Sequence, residues 1–106
     1  MNPNRKIENL LKEVTKLLAG VFKERYDGVI LYGSAARNEL TVDSDIDILV
    51  LLKNPIQGDL RLIIDTIYPL QLEVDHPIHA IPVSTKTFEQ ADFSLYRNVK
   101  REGIRA

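Results

Sequence analysis

The sequence predicts an α+β protein in which helices pack mainly on one face of a small mixed β-sheet. Three observations lead to this prediction: an amphipathic helical pattern at the start, two short apolar runs bounded by turn residues, and a second helical pattern after them. The chain of 106 residues has the usual size of one domain. We therefore expect residues 1–106 to form a single domain around one core.

The composition excludes several classes of protein. The net charge is −1, from 14 basic and 15 acidic residues, which gives no electrostatic signal for nonspecific binding to nucleic acid or an anionic membrane. The absence of cysteine excludes disulfides, thiolate metal sites and a cysteine nucleophile. The amino terminus lacks the apolar region of a secretion signal, and no stretch approaches the roughly 20 apolar residues of a membrane span. We expect a soluble cytoplasmic protein.

The first helix is predicted by apolar residues that recur at spacings of three and four over residues 7–22. Charged residues occupy the opposite side of the same turns, which is typical of a helix that covers a sheet. Asn2 or Asn4 is the candidate cap of this helix, and Gly28 is expected in the turn that follows it.

Strands and further helices alternate after this point. The predicted strands are residues 29–32, 45–53 and 72–83. The predicted helices are residues 34–40, residues 59–70 with Asp59 as cap, and a helical tail that begins with Ser84 or Thr85 as cap. The second strand is apolar on both faces, which is typical of a central strand. Pro77 and Pro82 confine the third strand to an edge, its ends or a bulge.

An Asp-x-Asp sequence begins the second predicted strand. Residues two apart in a strand face the same side, so Asp45 and Asp47 are expected to project together. Two carboxylates this close repel each other, which a protein tolerates where a cation is bound, and Mg²⁺ takes oxygen ligands of this kind. The alternative is a solvated pair that only caps the preceding turn.

A Gly-Ser pair at the end of the preceding strand favours the metal interpretation. Glycine at position 33 lets the backbone approach a phosphate closely, and the helix start after it offers free amide groups. Ser34 adds a hydroxyl group, and Arg37, one turn later, adds a planar cation suited to phosphate. The sequence therefore predicts a phosphate-binding element at the end of one strand and a metal-binding pair at the start of the next.

One motif of this chain resembles the signature of the nucleotidyltransferase superfamily that includes DNA polymerase β. The motif consists of Gly33-Ser34, ten intervening residues and then Asp45-Ile46-Asp47. More narrowly, GSAARNEL with DSDIDILV resembles the minimal nucleotidyltransferases of bacteria and archaea, and the closing RNVKREGI resembles the tail of that group. The resemblance implies the nucleotidyltransferase fold. It also implies transfer of a nucleoside monophosphate, with AMP from ATP expected, from a triphosphate to a hydroxyl group with two Mg²⁺ ions assisting.

The resemblance also implies roles for individual residues. It implies metal binding and catalysis by Asp45 and Asp47, and it implies nucleotide binding by Gly33, Ser34, Arg37 and Ser44. Within this set, Gly33 and Ser34 would hold the triphosphate, Arg37 would contact a phosphate, and Ser44 would support the metal ligands. Family members usually carry a third carboxylate on a later strand.

Asp75 is the expected third metal ligand and catalytic carboxylate, although the spacing from residues 81–84 makes His79 the matching position. If the segment is a regular strand, Asp75 and His79 share a face and either could point at the site, whereas His76 would point away. The alternative is that Asp75 lies in the turn before the strand and that His79 is an ordinary half-buried histidine.

Short proteins of the resembling group often act as antitoxins that modify a HEPN-domain partner, in several cases on a tyrosine. The resemblance therefore implies a protein adenylyltransferase with a HEPN-type toxin as partner, in a homo- or hetero-oligomer. The chain is too short for a large acceptor-binding domain, and residues 92–105 are a candidate contact surface. Two alternatives are a module that neutralises its partner by binding alone and a Mg²⁺-dependent phosphohydrolase, which the Gly-Ser spacing fits poorly.

Overall fold

A computed structural model describes residues 5–106, so the candidate caps Asn2 and Asn4 lie outside the described residues. The elements are α1 (Arg5–Phe22), a 3₁₀ turn (Lys23–Arg25), β1 (Tyr26–Tyr32), α2 (Gly33–Ala36), β2 (Ile46–Leu52), α3 (Asp59–Gln71), β3 (Ile78–Ser84), α4 (Thr85–Gln90), α5 (Ser94–Glu102) and β4 (Ile104–Arg105). No helix within residues 5–106 is both long enough and apolar enough to cross a membrane.

The four strands form one mixed sheet in the order β3-β2-β1-β4. Strand β1 pairs antiparallel with both β2 and β4, whereas β3 runs parallel to β2. The prediction that β2 is central is confirmed, and all its residues except Asp47 are buried. The edge position of β3 is also confirmed, because an edge strand accommodates Pro82, which lacks a backbone N–H group.

The two long helices, α1 and α3, cover one face of the sheet. Their apolar side chains pack against the even-numbered residues of β2, which are Ile46, Ile48, Val50 and Leu52. On the opposite face a smaller cluster joins Phe88 of α4 and Val99 of α5 to Leu49 and Leu51. The predicted fold class is therefore confirmed, and the alternation along β2 turns Asp47 toward the face that carries α4 and α5.

Two predicted element boundaries near the site are wrong. Helix α2 ends at Ala36 and not at residue 40, because Asn38 adopts a left-handed φ of 58° that an α-helix cannot continue. Strand β2 begins at Ile46 and not at Asp45, and the Ile46 N–H donates to the carbonyl of Pro77 at 2.8 Å. Asp45 therefore lies just outside the strand, where the alternation rule does not govern its side chain.

The third predicted strand and the Gly28 turn also need correction. Strand β3 begins at Ile78, and residues 72–77 form turns, because Pro77 cannot donate to a ladder and restricts the residue before it. Gly28 lies within β1, at a shift of register with β2, and not in a turn. The short strand β4 at the end of the predicted helical tail was missed.

Asp59 begins α3 but does not cap it, since the capping position is Gly58. The Asp59 carboxylate instead accepts hydrogen bonds from the Ile56 N–H at 2.8 Å and from two Arg25 nitrogens at 2.9 and 3.0 Å. Its side chain is only 4% exposed. This ion pair ties the turn before β1 to the start of α3. In contrast, the predicted cap Ser84 is confirmed, because its hydroxyl accepts from the Thr87 N–H at 3.3 Å.

Candidate functional site

The candidate site lies at one end of the sheet, where β1 ends and β2 and β3 begin. Tyr32 is paired with Asp47 across the antiparallel strands, and Asp47 is paired with His79 across the parallel strands. Residues paired in this way point to the same face of a sheet. The structure therefore places a phenol, a carboxylate and an imidazole in one row, on the face that carries α4 and α5.

Gly33 follows Tyr32 directly and packs against the Asp47 carboxylate. Its φ of 73° lies in the left-handed region, which a glycine adopts without strain. A Cβ atom at this position would lie 2.6 Å from Oδ2 of Asp47, closer than atoms tolerate. The predicted phosphate-binding glycine and one predicted metal ligand are thus direct neighbours, and the space between them exists because residue 33 has no side chain.

We expect Gly33→Ala to destabilise the protein by about 1–2 kcal/mol, because the new methyl group meets the Asp47 carboxylate and alanine is strained at positive φ. Urea unfolding measures the loss. Gly20→Ala is the matched control, since Gly20 lies in α1 and an added Cβ meets nothing within 4 Å. The control should be neutral or slightly stabilising. Equal stability of Gly33→Ala and the unchanged protein would contradict the packing described above.

Asp45 and Asp47 differ in their surroundings. Asp45 is exposed in the segment before β2, whereas the Asp47 side chain is 27% exposed. Within residues 5–106, no group of three or more His, Asp or Glu side chains is arranged to hold a metal ion. The metal-binding role of the Asp-x-Asp pair therefore stays a prediction, and any ion here would take its remaining ligands from water or from the nucleotide.

His79, and not Asp75, contacts Asp47. Its Nδ1 atom lies 3.5 Å from Oδ1 of Asp47, and its side chain is 61% exposed rather than half-buried. Asp75 lies in the turn before β3 and lines a cleft with Ile7 and Ile46, whose side chains belong to the core beneath α1. A direct role for Asp75 as the third carboxylate stays a prediction that this placement does not favour.

Ser44 helps to fasten the segment that carries Asp45. Its Oγ accepts the Thr41 N–H at 3.0 Å, and its carbonyl lies 2.9 Å from Nδ1 of His76. His76 therefore links the turn before β3 to the turn before β2. Its predicted direction in a regular strand, away from the site, did not indicate this contact. The role of Ser44 in supporting the metal ligands stays a prediction.

Arg37 is held by carboxylates at the exposed end of α2. Its Nε donates to Glu39 at 2.7 Å, and one terminal nitrogen lies 3.8 Å from Glu102 of α5. The side chain is 45% exposed, so it is accessible from solvent. Contact of Arg37 with a phosphate stays a prediction.

Tyr32 is a site residue that the sequence analysis did not single out. Burial, and to a lesser extent the nearby Asp47 carboxylate, raise the pKa of Tyr32. The phenol therefore keeps its proton at neutral pH and can donate a hydrogen bond on the Asp47 face. Its position directly before Gly33 indicated that Tyr32 lies near the predicted phosphate-binding turn. The antiparallel pairing of β1 with β2 is what places it opposite Asp47.

Comparison with known proteins gives a family match over nearly the whole chain. The nucleotidyltransferase domain family matches residues 7–106. A Methanocaldococcus jannaschii protein named "Putative protein adenylyltransferase MJ0604" is 35% identical over 99 residues, which cover 91% of this chain and 93% of that relative. A second relative from the same organism, "Putative protein adenylyltransferase MJ0141", is 40% identical over 47 residues, or 44% of this chain and 48% of its own length.

Solved structures with a similar fold include toxin–antitoxin proteins. A crystal structure of a toxin–antitoxin with AMP-PNP superimposes with a TM-score of 0.62 at 19% identity, covering 92% of this chain and 70% of that one. A crystal structure of a mutant of the toxin–antitoxin MntA-HpeT superimposes with a TM-score of 0.58 at 20% identity, covering 100% of this chain and 72% of that one. At these identities the likeness establishes a shared fold.

Proposed function

Since the chain belongs to the nucleotidyltransferase family, we propose that it transfers AMP from ATP to a hydroxyl group of a partner protein. In this reaction the acceptor oxygen forms a bond to the α-phosphorus, the bond from that phosphorus to the bridging oxygen breaks, and pyrophosphate leaves. The acceptor proton is released. The observation that supports the proposal is the close contact of Asp47 with Gly33, because it joins the expected metal ligand to the expected phosphate-binding turn.

Two divalent ions, Mg²⁺ in this proposal, would stabilise the attacking and leaving oxygens of the displacement. Asp45 and Asp47 would hold them, with His79 or Asp75 as a further ligand. The donor set fits such ions, because carboxylates are hard oxygen ligands and Gly33 leaves open the space beside Oδ2 of Asp47. A small number of protein ligands is also typical, since Mg²⁺ usually takes several waters and substrate phosphates.

The remaining residues would bind and orient the nucleotide. Gly33 and Ser34 would hold the triphosphate against the end of β1, and the 45% exposed Arg37 would neutralise phosphate charge. Ser44 would keep the Asp45 segment in place through its contacts with Thr41 and His76. In this arrangement Tyr32 is a protonated donor on the same face as Asp47.

The proposed acceptor is a HEPN-type toxin, for which this chain would act as antitoxin. Support comes from relatives named as protein adenylyltransferases and from the toxin–antitoxin structures with the same fold. Phe93 and Leu95 near the start of α5 are 59% and 45% exposed, which supports a contact surface within residues 92–105. A tyrosine hydroxyl of the partner is the proposed target group.

The test combines the purified chain, its HEPN-type partner, a divalent ion and ATP labelled at either the α- or the γ-phosphorus. Transfer of AMP puts the α-label on the partner, adds the mass of AMP and leaves the γ-label in pyrophosphate. Label from the γ-position on the partner would instead indicate phosphorylation, and release of free γ-phosphate would indicate hydrolysis. A tight complex without any label would indicate the module that acts by binding alone.

A further inference from the structure

The contact between Asp47 and His79 has a geometry suited to a shared metal ion. The two residues are paired across neighbouring parallel strands, and Nδ1 of His79 lies 3.5 Å from Oδ1 of Asp47. Adjacent ligands of an octahedral ion with bonds of about 2.1 Å lie about 3 Å apart. A small rotation of His79, whose side chain is 61% exposed, would bring Nδ1 and Oδ1 to the spacing of two ligands of one ion.

The other candidates for this position are less well placed. Asp75 lines a cleft beneath α1, on the side of the sheet away from Asp47. His76 is paired through Nδ1 with the carbonyl of Ser44. His79 is thus the histidine that the sheet register places next to Asp47.

We infer that His79 is a direct nitrogen ligand of one of the divalent ions, and that the site consequently favours a later first-row transition ion such as Co²⁺ or Ni²⁺ over Mg²⁺. This inference rests on the proposed function and replaces Mg²⁺ with a transition ion at the position that His79 contacts. Imidazole suits transition ions, whereas Mg²⁺ prefers oxygen ligands. A neutral imidazole also brings less negative charge to the site than a third carboxylate, which lowers the attraction for a hard cation such as Mg²⁺.

Pulsed electron paramagnetic resonance of bound Mn²⁺ tests the ligand directly. The full chain is loaded with Mn²⁺ and inorganic tripolyphosphate, which contains no nitrogen, so that any nitrogen coupling originates from the protein. We expect the spin-echo signal of the unchanged protein to show the modulation of a directly coordinated ¹⁴N nucleus. This modulation should be lost in His79→Gln and retained in His76→Gln. The chain has 2 histidines, so these two variants test every imidazole.

Competition between Co²⁺ and Mg²⁺ tests the preference. His79→Asp should lower the ratio of Co²⁺ to Mg²⁺ affinity by at least about tenfold, because loss of a hydrogen-bonding partner of a ligand alone costs about 10–100-fold in metal affinity. Asp43→Asn, an exposed change in the loop before β2, should leave the ratio unchanged.

The outcomes separate this inference from the proposed function. The inference would be overturned if bound Mn²⁺ showed no nitrogen modulation, or if the modulation persisted in His79→Gln. Neither result would contradict AMP transfer, which is measured separately. Nitrogen modulation in a protein that transfers no AMP would support the ligand and overturn the proposed function. Failure of the unchanged protein to bind Mn²⁺ with tripolyphosphate would overturn the inference as well.

Discussion

Replacement of Asp47 by Asn should reduce AMP transfer about a thousandfold, comparable to the loss of a charge-stabilising group at a reacting centre. The substitution keeps the shape that packs against Gly33 but removes the negative charge that would hold a divalent ion. The paired His79 cannot replace that charge, because an imidazole side chain supplies no negative charge. Initial rates with α-labelled ATP and the partner protein measure the loss.

Two further variants make this result specific. Asp45→Asn should show a similar loss, since the second carboxylate of the pair serves the same ions. Asp43→Asn removes a carboxylate from the same connection, at an exposed position outside the Asp-x-Asp sequence, and should leave the rate unchanged. A normal rate in folded Asp47→Asn would remove Asp47 from the site. An equal loss in all three variants would indicate a general electrostatic effect instead.

The parts of the fold that were predictable depend on local patterns. The spacing of apolar residues along α1 identified its buried side, because a helix returns the same face to the core every three to four residues. The continuous apolar run of β2 identified a central strand for a similar reason, as both of its faces are covered. The positions of Gly33, directly after β1, and of Asp47, at the start of β2, were predictable because turn and strand chemistry restrict those positions.

The remaining features depend on contacts between distant parts of the chain. Tyr32, Asp47 and His79 form a row only because β1 and β2 pair antiparallel while β3 pairs parallel, in registers that no single segment specifies. The end of α2 depends on the left-handed backbone of Asn38, which many asparagines do not adopt. Strand β4 has two residues, too few to produce a recognisable alternation.

Outside the site, we expect Arg25→Met to destabilise the protein strongly. This change retains an apolar stem but leaves the Asp59 carboxylate, only 4% exposed, without its two charge-assisted hydrogen bonds. Breaking a buried ion pair from one side costs about 3–5 kcal/mol, and the lower end applies here because 33% of the Arg25 side chain is exposed. Urea unfolding at neutral pH measures the difference. Arg61→Met is the matched control.

Arg61 forms an exposed pair with Asp65 at 3.1 Å on α3, with side chains 81% and 59% exposed. Its removal should cost less than about 0.5 kcal/mol, because exposed pairs of this kind contribute little. Equal losses in Arg25→Met and Arg61→Met would contradict the buried character of the Arg25 pair.

Acidification tests the same pair through the protonation of Asp59. Hydrogen bonds from Arg25 hold the pKa of Asp59 below its ordinary value, so the folded state binds this proton less readily than the unfolded state. The resulting stabilisation is complete above the unfolded pKa, about 3.9, and is lost as the pH falls toward the folded pKa. Loss of Arg25 raises the folded pKa of the buried Asp59 carboxyl in the variant, so the stability difference between the unchanged protein and Arg25→Met should shrink as the pH falls from that raised pKa toward the lower folded pKa in the unchanged protein. A difference that stays constant with pH would assign the loss to packing of the Arg25 stem rather than to its charge.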